Sequence, residues 1–398
     1  MNKQTTAINT PFVQPDVYGA LAVPVYNNVA FEFADAQQMA DAFTNRIKAP
    51  DYTRIENPTV TNLEERVKVL TAAEHVTAFN SGMAAIANTL MAVCAQGKTI
   101  VTSPHLFGNT LSLISGTLLR FGIKSRLRNL TDLDAVESAV DEQTACVFME
   151  IVTNPQMEVA DIKAIADIAH SKGVPMIVDS TVIPFTETDL KSLGVDIEVV
   201  SSTKYLSGGG TSLGGLVIDY GTFPIINQRL RYELLVNLGA IMTPQAAYMQ
   251  TLGLETLYVR YQRQSSNALW IAQQLKGDCQ SPQAAIRRVN YIGLKDNPYY
   301  ELSQRQFGPT AGAMLTIDLD SKEACFRFLN SLRLIHRATN LFDSRTLAIH
   351  PASTIFGLFP ERQLEKMDVR QTTIRLSIGL EDKEDLLADI RQALHGVK

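Results

Sequence analysis

From residue 62 to about residue 245 the chain alternates short apolar, β-rich runs with amphipathic helical stretches, a pattern that few folds can accommodate. Leu63–Glu74 reads as a helix, Val76–Phe79 as a strand, Ala84–Ala95 as a helix and Thr99–Thr102 as a strand. Cys146–Met149, Pro175–Asp179, Glu198–Ser201 and Leu216–Ile218 continue the strand series, with a helix at Asp161–Ser171 among them. This order predicts an α/β fold with a large, mostly parallel sheet covered by helices on both faces. A long helical stretch, Gln245–Leu275, then leads to strand-like Gly312–Leu319 and Thr373–Ile378 around a helix at Lys322–Ser331, the order of a smaller α+β unit. The first segment carries Pro11, Pro15, Pro24 and Pro50 and little periodicity beyond a short helix at Asp35–Arg46. It reads as an extended arm that must pack on something else. The expected division is an arm over 1–55, a sheet domain over 56–245 and a C-terminal domain over 246–398, since 398 residues exceed what one core usually serves.

Composition narrows the function. With 45% hydrophobic and 19% charged residues, the chain has ordinary globular usage. A net charge of -5 without a basic stripe argues against nucleic acid as a partner, and the lack of a Lys/Arg cluster argues against a membrane surface. Met1–Pro15 lacks the apolar core of a secretion signal, and no run of about 18 apolar residues occurs. A cytoplasmic setting is expected. Cys94, Cys146, Cys279 and Cys325 form no C-x-x-C pair and read as buried free thiols. His75, His105, His170, His336, His350 and His395 show no metal-binding spacing, so no metal is expected, and His350 beside Pro351 reads as a packing residue.

The densest chemistry lies in Ser201-Ser202-Thr203-Lys204-Tyr205-Leu206-Ser207-Gly208-Gly209-Gly210, which follows the apolar run Ile197–Val200. A lysine amine there can form an imine with an aldehyde and then serve as a base, while Ser201 and Thr203 can donate to a phosphate. Alone, such a cluster is a surface lysine before a flexible loop. Asp179 ends the run Met176–Val178, at the carboxyl edge where open α/β sheets bind ligands; alone, it is a strand-end turn cap. Asn80-Ser81-Gly82-Met83-Ala84 is a small-residue turn into a helix, whose Gly82 and Met83 amides suit an anion, though Ser81 as a plain N-cap explains it equally. Arg54, within Tyr52-Thr53-Arg54 of the arm, is either a solvated arginine or a bidentate phosphate contact reaching a neighbouring subunit.

Taken in this order, these residues resemble the Cys/Met-metabolism (transsulfuration) family of pyridoxal-phosphate (PLP) enzymes, over about residues 17 to 394. The anchors are Y-T-R-I-x-N-P-T at 52–59, N-S-G-M-A-A-I at 80–86, V-D-S-T at 178–181, S-S-T-K-Y at 201–205, H-P-A-S-T at 350–354 and I-R-L-S-I-G-L-E at 374–381. The resemblance implies the aspartate-aminotransferase-like, fold type I architecture, with the 56–245 domain binding PLP. It makes Lys204 the residue that carries the cofactor and the catalytic base. It assigns Asp179 to the ring nitrogen, Asn154 to the ring oxygen, and Gly82, Met83, Ser201 and Thr203 to the phosphate. Tyr52 and Arg54 would complete the phosphate cup across a subunit boundary, implying a homo-oligomer, commonly a dimer of dimers. Arg375 would clamp the carboxylate of an amino-acid substrate.

Within the family, Asn340 and Gly253-Leu-Glu-Thr-Leu257 look most like the O-acetylhomoserine sulfhydrylases, and Asn340 is read as a substrate-side residue. Phe107 stands where the family usually stacks a tyrosine on the cofactor, so it can stack but cannot move a proton. The expected reaction is γ-replacement on O-acetylhomoserine by sulfide or a thiol, giving homocysteine or methionine. The alternatives are a γ- or β-lyase of the methionine or cystathionine type, and a non-catalytic PLP-binding protein.

Overall fold

The computed structural model describes residues 2–12, 16–280 and 284–397. Its large sheet contains β1 (His75–Phe79), β2 (Thr99–Thr102), β3 (Lys124–Leu127), β4 (Thr144–Glu150), β5 (Met176–Asp179), β6 (Ile197–Val200) and β7 (Gly215–Asp219). These seven strands lie in the order β1-β7-β6-β5-β4-β2-β3. β3, β2, β4, β5 and β6 run parallel, and β7 is antiparallel to both its neighbours. β2, β6 and β7 are buried along their whole length, which explains their continuous apolar runs. Edge strand β3, Lys-Ser-Arg-Leu, is half exposed and carried no apolar pattern to read.

A four-stranded antiparallel sheet follows, with β8 (Arg288–Asn290), β9 (Met314–Asp318), β10 (Leu347–Ile349) and β11 (Thr373–Ser377) in the order β10-β11-β9-β8. β9 and β11 match the expected strands; the short β8 and β10 were not foreseen. The helix Pro244–Asp278, started by Pro244 and by Thr243 capping the Ala246 amide, touches β8 and β9 of this sheet and the helix Pro58–Thr71 that precedes β1. Its buried side chains recur at helical spacing through Ala247, Leu254, Leu257, Tyr261, Ala268, Ile271 and Leu275. The first helix of the sheet region begins at Pro58 rather than Leu63, because Asn57 caps the Thr59 amide and proline suits the first turn.

The arm contains an unforeseen helix, Lys3–Asn9, which packs on the body. Ala7 is buried, its carbonyl accepts from buried Arg66 at 3.0 Å, and Lys3 Nζ donates to the Thr188 carbonyl at 2.8 Å. Further along, Val17, Tyr18 and Leu21 are 88%, 95% and 98% exposed. Cys94, Cys146 and Cys325 are buried free thiols, and Cys279 is half-buried.

Candidate active site

Because β4, β5 and β6 are parallel, their carboxyl ends meet at one edge of the sheet, and they deliver Glu150, Asp179 and the Ser201–Gly210 loop to one place. A cavity of about 340 Å³ opens there. Its walls include Gly82, Met83, Phe107, Asn154, Asp179, Ser201, Thr203, Lys204 and Arg375, drawn from segments nearly 300 residues apart.

The lysine loop is held tightly. Thr203 Oγ1 donates to the Gly214 carbonyl at 3.1 Å and accepts the Gly214 amide at 3.0 Å. Arg260 donates to the carbonyls of Tyr205 and Gly253 at 2.7 and 2.6 Å, and burial lowers its own pKa to about 10. Gly210 has φ +64°, and a Cβ there would lie 2.4 Å from Asp343 Oδ2, so only glycine fits. Lys204 Nζ donates to Asn340 Oδ1 at 3.2 Å. Burial, then the nearby Arg375 cation, lowers the Lys204 pKa to about 8, while Asp179 pulls the other way. A lysine prepared in this way is largely protonated at neutral pH yet easily gives up its proton.

At the helix Gly82–Val93, Ser81 Oγ accepts the Ala84 amide at 3.1 Å and the Ser81 carbonyl accepts that of Ala85 at 3.0 Å. The Gly82 and Met83 amides are left facing the cavity end with the helix dipole behind them. A Cβ on Gly82 would lie 2.7 Å from Ser201 Cβ, so glycine lets the helix end and the Ser201 hydroxyl converge. Asp179 Oδ1 accepts the Thr181 amide at 2.9 Å, and burial raises the Asp179 pKa against the pull of Thr181 and Lys204. A cationic ring nitrogen would reverse that rise.

Arg375, on β11, is only 2% exposed and burial lowers its pKa to about 9. Its Nη1 donates to Asn154 Oδ1 at 3.1 Å and its Nη2 lies 3.4 Å from the carbonyls of Thr339 and Asn340, while Nε has no partner. A buried guanidinium with an unpartnered Nε and, among the described residues, no paired carboxylate suits an anionic ligand. The donor set therefore fits a phosphorylated aldehyde with a basic ring nitrogen at one end and an amino-acid carboxylate at the other.

Two expected residues lie elsewhere. Tyr52 is exposed, Arg54 donates to the Val236 carbonyl with its guanidinium 5.5 Å from the Tyr52 ring, and neither lines this chain's cavity. Glu255 forms an ion pair with Arg66 at 3.0 Å, where it anchors the N-terminal helix. His350 is buried, with its nitrogens occupied by Ser353 and the Gln371 carbonyl. Glu150 was not anticipated, although the strand-end argument that singled out Asp179 applies equally to it.

The family model for "Cys/Met metabolism PLP-dependent enzyme" matches residues 4–395. This chain belongs to that family. The O-acetyl-L-homoserine sulfhydrylase of Corynebacterium glutamicum is 33% identical over 92% of this chain and 91% of its own length. The L-methionine gamma-lyase of Fusobacterium nucleatum is 35% identical over 99% and 98%. Among solved structures, a putative O-acetylhomoserine (thiol)-lyase from Campylobacter jejuni, which carries pyridoxyl-lysine monophosphate, superposes with a TM-score of 0.94 at 34% identity over 99% of this chain and 100% of its own. The Cys/Met-metabolism enzyme is thus PLP-dependent and has the fold type I architecture. Among its described residues no helix is long and apolar enough to cross a membrane.

Proposed function

We propose that this enzyme catalyses γ-replacement on O-acetylhomoserine with sulfide or a thiol, giving homocysteine or methionine. The observation that carries this reading is the composition of the cavity wall. Lys204 is present with a lowered pKa, Phe107 occupies the wall, and among the described residues no tyrosine, histidine or cysteine lines the cavity. A leaving group that needs a donated proton is poorly served there, whereas acetate departs as a stable anion.

Bound PLP supplies an electron sink for the pair left behind when a proton leaves the substrate α-carbon. Lys204 would hold the cofactor covalently, Asp179 would face its ring nitrogen, and Asn154 its ring oxygen. The Gly82 and Met83 amides with Ser201 and Thr203 would hold its phosphate. Arg375, braced by Asn154, binds the substrate carboxylate and so fixes which bond faces Lys204. Lys204 removes the proton from Cα, a further proton transfer at Cβ follows, and acetate leaves Cγ, to which the thiol adds. Asn340 orients the Lys204 amine. Tyr52 and Arg54, exposed on the arm, would serve the phosphate end of a second copy's cavity, in a dimer or a dimer of dimers. The four free thiols support a cytoplasmic setting.

Relatives named as methionine lyases favour a second reading, γ-elimination to a 2-oxo acid and ammonia. The test is the absorption spectrum of the purified protein and of Lys204→Ala, followed by O-acetylhomoserine with and without sulfide. A visible band that depends on Lys204, with homocysteine formed only when sulfide is added, supports γ-replacement. Dominant 2-oxobutyrate and ammonia in the presence of sulfide would shift the assignment to a lyase. Phe107→Tyr should speed turnover of substrates with poorer leaving groups; unchanged rates would remove the argument from the wall.

A further inference from the structure

Glu150 ends β4 directly opposite Asp179 on β5, and both side chains line the cavity. One Glu150 oxygen accepts the amide of Phe107 at 2.5 Å. Asn154 follows four residues later in the same segment. These two residues lead to opposite parts of the site. Phe107 forms the wall where a flat ring would lie, and it opens the short helix Gly108–Ser112. Asn154 holds Arg375 Nη1 at 3.1 Å.

We propose that Glu150 is a positioning residue that ties the Phe107 wall to the end of β4 that leads to Asn154, setting the distance between the cofactor wall and the Arg375 carboxylate clamp. This rests on the reading of the cavity as a PLP and amino-acid site. A carboxyl suits the task because its acceptor oxygen sits on a side chain long enough to reach the Phe107 amide from the end of β4. Burial and then the neighbouring Asp179 raise the Glu150 pKa well above the usual carboxylate range. The contact works by hydrogen-bond geometry. A glutamine, which keeps an acceptor oxygen at the same reach, should replace it.

The experiment compares holoenzyme Glu150→Ala, Glu150→Asp and Glu150→Gln with wild type. Four readouts are taken: the Lys204-dependent band, circular dichroism of the bound cofactor, KM and kcat for O-acetylhomoserine, and Tm. Displacing a clamp by about 1 Å costs up to about 100-fold in catalysis, so Glu150→Ala should raise KM roughly tenfold or more and alter the cofactor dichroism while the band persists. Glu150→Asp, one methylene shorter, should behave like the alanine variant and decides the matter if the alanine protein does not fold. Glu150→Gln should stay within about twofold of wild type in KM, with wild-type dichroism. A fall in Tm with unchanged KM and dichroism would show a purely structural residue and overturn the proposal. So would a glutamine variant as impaired as alanine, or an aspartate variant indistinguishable from wild type. Absence of the band in wild type itself would instead remove the PLP-site reading on which the proposal rests.

Discussion

The cavity and the arm treat their side chains in opposite ways. Around Lys204, charged and polar groups are buried and nearly every one has an assigned partner, from Asn340 to Asn154 to the Gly214 backbone. Along the arm, Val17, Tyr18 and Leu21 are almost wholly exposed, as is much of Val29, Met39 and Phe43. Exposed apolar surface of this extent marks a contact surface, whereas a buried cation such as Arg375 calls for a ligand. The difference teaches that the lysine side is settled within one chain, while the proposed role of Tyr52 and Arg54 needs a second copy.

The largest effect separates these two halves. Lys204→Ala should lower kcat by about 1000-fold or more, as loss of a nucleophile and base does, with no visible band. Mixing that protein with Arg54→Ala after co-refolding should restore part of the activity, because each supplies what the other's cavity lacks; no recovery would confine Arg54 to its own chain. Next, Arg375→Leu should raise KM for the amino-acid substrate on the order of 100-fold with the band intact, through loss of a charge-assisted bond in a buried site. Equal loss of the band would make Arg375 a folding residue instead.

A smaller effect is the pH dependence of loading. Since only the neutral amine attacks an aldehyde and the Lys204 pKa is about 8, the rate at which apoprotein takes up PLP should rise about tenfold from pH 7 to pH 9 and then level off. An amine near its ordinary pKa would keep accelerating beyond pH 10. The smallest concerns Glu198 on β6, whose side chain accepts from Tyr220 at 2.9 Å and also pairs with Ser180. Burial raises its pKa to about 7. The folded state then binds more protons than the unfolded one between about pH 4.5 and 7, so this group's contribution to stability falls as pH rises through that window. Glu198→Gln should flatten the dependence by about 3 kcal/mol, as read from denaturant unfolding at several pH values.

Much of the site was legible because its parts sit at strand and helix ends, which short patterns reveal. Asp179 and Lys204 each follow an apolar run, and Gly82 opens a helix after a strand. Glu150 obeys the same rule and was passed over because the run before it, Cys146–Met149, was read as ending at Met149. Gly253-Leu-Glu-Thr-Leu257 carries the likeness to the sulfhydrylases, and the structure adds that Glu255 pairs with Arg66 and holds the N-terminal helix. β3 escaped notice because an edge strand needs no apolar alternation, and the helix Lys3–Asn9 because its contacts lie far away in sequence.

By itself the sequence determined the alternating architecture and the lysine with its glycine loop, which are written in local periodicity and turn chemistry, and, through its resemblance to a family, the cofactor class. Only the tertiary structure decided that Arg375 is braced by Asn154, that Glu150 stands beside Asp179 and reaches Phe107, and that Tyr52 and Arg54 face away from their own cavity. Those facts depend on pairs as much as 221 residues apart. Their meeting is set by sheet order and helix packing, which no local pattern encodes.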